Sequence, residues 1–405
     1  MRLFRETTGT WASLAPPLSA GGEGEVRPVA GEPGLLAKVV FAASATPDRA
    51  AKVSVLTRWP DRDPRVAFPV ERLLDGPGGA FRGFLMPAFH GAVGLFELTN
   101  PAARRSRGIT LTASRRVRLA ADLADLAAHL HAARLVLGDL LNPSNVLAAV
   151  ASGRPTGVRA VDADTVQVTA RDAAGRLTTF RCGVGLRNFL APELVGRDLA
   201  TLDRTPASDA YALAVLLWQL LKDGHPFAAT GAREPVDRRM RAGLWPWDHT
   251  RVLPAGWAPV DDGLPFARLP AGVRELFART FVAGHAAPPR RPTPAEWHAE
   301  LSAWRASGGD GRRPFRWVRP AVRRVATGTR RVFGHPTVRR FAGPVAAAAV
   351  FVALALARLD EPPPVVAPPS AVSRLPAQVR GDEIPNAPAL WRAALPEVAR
   401  GQAER

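Results

Sequence analysis

The chain has 405 residues, 54 Lys and Arg against 36 Asp and Glu for a net charge of +18, 47% hydrophobic residues and one cysteine. That hydrophobic content excludes a disordered chain, the lone cysteine excludes a disulfide scaffold, and nothing follows the Gly-X-Y period of collagen. A basic excess of this size first suggests nucleic acid or an anionic membrane surface as a partner.

Along the chain, MRLFRETTGTWASL lacks the apolar core of a signal peptide. Residues 1–14 are read as an N-terminal segment, and 15–90 as short strands and turns around one helix. LLAKVVF (35–41) and FRGFLMPAF (81–89) are apolar runs of strand length. Between them the spacing predicts a helix with Thr46 as N-cap and Pro47 at its first position. From about residue 112 the pattern turns helical, with Val117, Leu119, Leu123, Leu126 and Leu130 on one face. Residues 211–223, YALAVLLWQLLKD, are apolar all round and predict a central buried helix. Two more helices are expected within 271–304. A small β-rich half followed by a larger helical half is an α+β arrangement with a cleft between.

The charge is concentrated near the end. Residues 305–340 hold eleven Arg against Asp310 alone, a net +10 and more than half of the total. The next stretch, FAGPVAAAAVFVALALA, is uncharged and would span about 26 Å as a helix. We read 341–358 as a transmembrane helix after an Arg-rich juxtamembrane linker, with a Pro-rich extracytoplasmic tail at 359–405. By the positive-inside rule the Arg-rich side is cytoplasmic and meets anionic lipid headgroups. A buried helix of a globular domain is the bland alternative, against which no further core-forming element follows.

Four patches carry chemistry. Gly21, Gly22 and Gly24 in SAGGEGEVRPV form a turn whose backbone N–H groups could approach phosphates, although such turns are often only turns. Lys38 lies in an otherwise apolar strand, and Lys38, Lys52 and Lys222 are the only lysines. A buried ammonium wants an anion. In GDLLNPSNVLAA, Asp139 and Asn145 lie in a polar loop between a helix and an apolar strand. In VRAVDADTVQV, Asp162 and Asp164 end a strand and could present carboxylates to Mg²⁺. An Asx-turn is the bland account of either pair.

In this order and at these separations, the patches resemble the protein kinase family. GGEGEV, GFLMP, GDLLNPSNVL, DADTVQV, CGVG and GHPF together resemble, more narrowly, a bacterial serine/threonine kinase-like subgroup with Gly-Asp where most kinases have Arg-Asp. The likeness covers residues 15–304, with a small lobe at about 15–90 and a larger one at about 91–304. It implies a bilobal protein-kinase-like fold with ATP between the lobes. It also implies Lys38 on the ATP phosphates and Asp139 as the base orienting a substrate hydroxyl, with Asn145 and Asp162 on Mg²⁺. The nucleotide would further meet Gly21, Gly22, Gly24, Val26, Met86 and Phe89 of a hinge, and Leu147 under the adenine. Glu193 in LAPELVG would pair with Arg291, and Asp209 would take a structural place in the buried helix that follows.

Three departures bear on activity. Asp139 and Asn145 are six positions apart instead of five. No acidic residue lies in 50–59 to pair with Lys38, Asp48 being the nearest. Asn142 stands where a Lys usually steadies the transferred group. The leading expectation is a single-pass kinase-like signalling protein of a bacterial cytoplasmic membrane, acting on protein hydroxyls with ATP and Mg²⁺. The alternative is a pseudokinase, a nucleotide-binding or scaffold module for a signalling partner. A nucleic-acid-binding role for the Arg-rich stretch is the weakest reading, because base-reading motifs and stacking aromatics are sparse there. Cys182, His129, His131, Trp245 and Trp247 read as packing or surface residues, and Thr178 and Thr179 as sites open to phosphorylation.

Overall fold

The computed structural model describes residues 1–171 and 175–308. The N-terminal strands are β1 (Arg2–Arg5), β2 (Trp11–Ser13), β3 (Ser19–Ala20), β4 (Gly24–Pro28) and β5 (Leu35–Val40), followed by helix α1 (Pro47–Thr57), β6 (Glu71–Leu74) and β7 (Phe81–Pro87). They form one antiparallel sheet in the order β2-β1-β6-β7-β5-β4-β3. Its edges approach each other where Leu14 bridges Val29. The sheet therefore curls around Leu3, Ala12, Leu14, Val29, Ala37, Val39, Leu73 and Leu85. Strand alternation puts Lys38 on the opposite face, which packs on α1 through Val40, Val53, Phe84 and Met86.

A second, helical part follows β8 (Ala92–Gly94), α2 (Leu95–Thr99) and α3 (Pro101–Ser106). Helix α4 (Ala113–Ala132) begins at the Thr112 cap and buries the apolar stripe expected from its spacing. Strands β9 (Val146–Ala151) and β10 (Arg154–Ala160) form a hairpin that joins β8 in a three-stranded sheet. The hairpin β11 (Val168–Arg171) and β12 (Leu177–Phe180) leads to α5 (Pro206–Lys222), apolar and buried almost all round. The strand β13 (Ala229–Thr230), α6 (Val236–Arg241), β14 (Ala258–Pro259), α7 (Ala271–Ala278) and α8 (Pro294–Ala306) complete the described residues. Trp218 of α5 is ringed by Trp245, Trp247, Phe266 and Phe277, so the two tryptophans of GLWPWDH are packing residues.

The expected fold, a bilobal kinase-like domain followed by a transmembrane helix, requires correction. The chain forms a mixed α+β fold built on a curled antiparallel sheet, and among the described residues no helix is long and apolar enough to cross a membrane. Of the two longest, α4 carries five charged residues and α5 has 17 residues spent on the core. Seventeen residues reach only about 26 Å, short of a roughly 30 Å hydrocarbon layer. Residues 341–358, together with most of the Arg-rich stretch and all of the Pro-rich tail, lie outside the described residues.

Candidate functional site

The glycine turn joins β3 to β4, which pair with Ser19 opposite Val26. Gly24 runs so close to β5 that a Cβ there would lie 2.4 Å from the Val39 carbonyl oxygen, so only glycine fits without moving the strand. Behind the turn, Lys38 stands opposite both Val26 and Phe84, at the centre of the sheet. Its ammonium is buried, 2.8 Å from Asp164 and 3.1 Å from Asp162. Burial opposes the charge on Lys38, yet the two carboxylates outweigh it and raise the pKa.

The loop after α4 is fixed from below by α5. The buried Asp209 carboxylate accepts the N–H groups of Leu137 and Gly138 at 2.6 and 3.0 Å and meets His131 Nε2 at 2.9 Å. Gly138 has φ +57°, and a Cβ on it would press on Cys182 Sγ at 2.8 Å. Asp139 follows in a tight helical turn, Gly138–Leu141. The six-position spacing is absorbed by successive turns: Asn142 N donates to the Asp139 carbonyl, and Asn145 N donates to that of Asn142. Asn145 Nδ2 then donates to the Asp139 carbonyl at 2.8 Å and lies 3.4 Å from its carboxylate. That leaves the Asn145 side-chain oxygen available as an acceptor. Burial pushes the Asp139 carboxyl up to about 6, opposed by a hydrogen bond from Asn142 and the charge of Arg204.

The Asp162 turn faces this loop. Val161 N donates to the Asn145 carbonyl at 2.8 Å, setting the two segments side by side. Asp162 takes a left-handed conformation, φ +59°, held by Thr165, whose hydroxyl donates to the Asp162 carbonyl at 2.7 Å. Asp tolerates this region better than most side chains, and such conformations cluster at functional sites. The two carboxylates part ways there. Asp162 lines the cleft with its side chain 32% exposed, whereas Asp164, 1% exposed, turns toward Lys38 and Arg49 of α1. Burial penalises the Asp164 charge, but Lys38 and Arg49 hold its pKa well below the usual carboxylate range.

These segments enclose a cavity of about 400 Å³. Gly21, Gly22, Gly24, Val26, Lys38, Met86, Asp139, Asn145 and Asp162 all line it. Leu18, Val26, Leu36, Met86 and Val161 give it an apolar part, while the carboxylates and Lys38 make another part polar. Phe89 and Leu147 are not in its wall: Phe89 packs with the α1 face of the sheet and under Arg159, and Leu147 is buried in β9 opposite Arg159. Glu193 and Arg291 form a two-pronged ion pair, both bonds 2.7 Å.

Among the described residues no cluster of three or more His, Cys, Asp or Glu could cage a metal. The oxygen donors Asn145 and Asp162, carried on adjacent segments of the cavity wall, fit a hard cation that keeps waters and phosphate oxygens, as Mg²⁺ does. No protein-family model and no curated protein matches the chain. The sequence offers Asp48 of α1 as the nearest acid for Lys38, yet its partners come from the Asp162 turn, because α1 presents the cation Arg49 there instead. Arg49 and His131 had no local signal, since each meets its partner through contacts 115 and 78 residues away.

Proposed function

We propose that the cavity binds ATP with Mg²⁺ and that the chain transfers the γ-phosphoryl group to serine or threonine hydroxyls of a protein, as its resemblance to kinases implies. The observation that carries this reading is the meeting of Lys38, Asp139, Asn145 and Asp162 in one cavity roofed by the glycine turn. Its volume is of nucleotide size. The apolar part, with Val26, Leu36 and Met86, suits a base, and the polar part suits phosphates.

Phosphoryl transfer asks a protein chiefly for positioning and charge compensation. Lys38 would neutralise phosphate oxygens from the sheet side. Asn145 and Asp162 would hold Mg²⁺, which would offset charge on the phosphates. The Asp139 carboxylate would accept a hydrogen bond from the incoming hydroxyl and orient it, which requires it to be ionised. The Asp209 carboxylate would fix the backbone on which Asp139 rides.

Asn142 supports a second reading, a nucleotide-binding module without transfer. Its amide, 3.4 Å from Asp139, occupies a place where a cation would steady the transferred group. Incubating the full chain with γ-labelled ATP, beside Asp139→Ala and Asp162→Ala, separates the two. Transfer predicts label on the wild type and none on either variant. Bound nucleotide without label above the variants would overturn the enzyme reading and leave the binding module.

A further inference from the structure

Four side chains of alternating charge run from the tip of the glycine turn into the cleft. Glu23 Oε2 lies 3.0 Å from Arg49 Nη2, the same nitrogen lies 2.7 Å from Asp164 Oδ2, and Asp164 Oδ1 lies 2.8 Å from Lys38 Nζ. The chain of contacts joins the turn, α1, the Asp162 turn and the central strand. Arg49 is well placed as its hub: its backbone N–H is capped by Thr46 at 3.2 Å, and α1 is seated on the sheet by the buried Val53 and on the helical part's core by Leu56.

We propose that Arg49 is the positioning residue of this cleft, a cation that clamps the glycine turn through Glu23 and holds Lys38 in place through Asp164. The helix supplies the positive member, and the acid comes from the Asp162 turn. Lys38 thus has two unlike partners. Asp164 is buried and gripped from behind by Arg49, so it stays. Asp162 is one-third exposed and lines the cavity, so it can yield its place on Lys38 to an incoming phosphate. Without Arg49, Asp164 would be a buried carboxylate with Lys38 as its one remaining ion pair, and Lys38 would no longer be aimed. Arg49 touches no substrate in this scheme. It acts through its two acids.

The phosphate part of the proposal rests on the nucleotide reading; the clamp does not. The test uses the full chain with Arg49→Met, Arg49→Lys, Glu23→Gln and Asp164→Asn, and two readouts. Amide hydrogen exchange at residues 21–24 of the ligand-free protein reads the clamp alone. Affinities for ATP with Mg²⁺ and for adenosine, which lacks phosphates, read the aim of Lys38. Arg49→Met is expected to speed exchange at 21–24 and weaken ATP about tenfold while leaving adenosine unchanged. Arg49→Lys should restore part of both, and Arg49→Met should weaken ATP little further in the Asp164→Asn background, while the exchange effect, which runs through Glu23, persists there.

Unchanged exchange in Arg49→Met, or equal loss of ATP and adenosine, overturns the proposal. Additive losses of ATP affinity in Arg49→Met and Asp164→Asn do the same. Should the wild type bind no nucleotide, the nucleotide reading falls and the exchange result alone decides for or against the clamp. If Arg49→Met does not fold, Glu23→Gln decides it, because that half-exposed carboxylate has no core role: faster exchange supports the clamp and unchanged exchange refutes it.

Discussion

Asp139 is the residue on which the proposed transfer depends, and burial raises its carboxyl to about 6. Below that pH it is protonated and cannot accept from a hydroxyl, so the transfer rate should rise with pH through about 6, and Asp139→Asn should abolish it. Folding is linked in the opposite sense. The folded state holds this proton more tightly than the unfolded chain, so ionisation costs stability as pH rises from about 4 through 6. Asp139→Asn should remove that fall and gain up to about 3 kcal/mol at neutral pH, read from urea unfolding at several pH values. Gly138→Ala should cost about 1–3 kcal/mol in the same measurement, because its left-handed backbone and the Cys182 sulfur both resist a methyl group. Lys38 was legible in the sequence because an ammonium inside LLAKVVF needs an anion. Which anion was not legible: Asp164 reaches it across 126 residues, and no local pattern encodes such a contact.

The loop carrying Asp139 owes its shape to α5. Asp209 accepts two backbone N–H groups of that loop and meets His131, so one carboxylate sets loop, helix α4 and helix α5 together. Asp209→Asn keeps one acceptor oxygen and loses the other, and should destabilise the fold by about 1–3 kcal/mol and slow transfer with the secondary structure intact. Arg291 is fully buried and pairs with Glu193, one-third exposed, besides donating to the Gly284 and Ala207 carbonyls. Arg291→Met should cost about 2–3 kcal/mol, less than a wholly buried pair because solvent can rescue Glu193. The helices were readable because periodic Leu and caps such as Thr46 and Thr112 act locally. The six-position gap between Asp139 and Asn145 looked like a defect in the linear sequence. In space it is two successive turns, which spacing alone cannot distinguish from misregistration.

For the whole molecule, the sequence separates into a part whose pattern speaks of a core and a basic, Pro-rich remainder. The α+β composition was visible because period-2 and period-3.6 runs segregate along the chain. The curl of the sheet was not, because it depends on β1 and β2 joining β6 from a segment read only as an N-terminal extension. A spanning helix was expected from composition at 341–358; among the described residues none can cross a membrane. A ligand that binds the folded state alone stabilises it, by about 2.7 kcal/mol at a hundred times its dissociation constant. Mg²⁺–ATP should therefore raise the unfolding midpoint, and Lys38→Met should respond less. The most direct measurement is a calorimetric titration of Mg²⁺–ATP into the full chain and into Lys38→Met. The proposed nucleotide site predicts saturable one-to-one binding to the wild type and binding at least about tenfold weaker to the variant. No saturable binding to the wild type, or equal affinity in both, would contradict it.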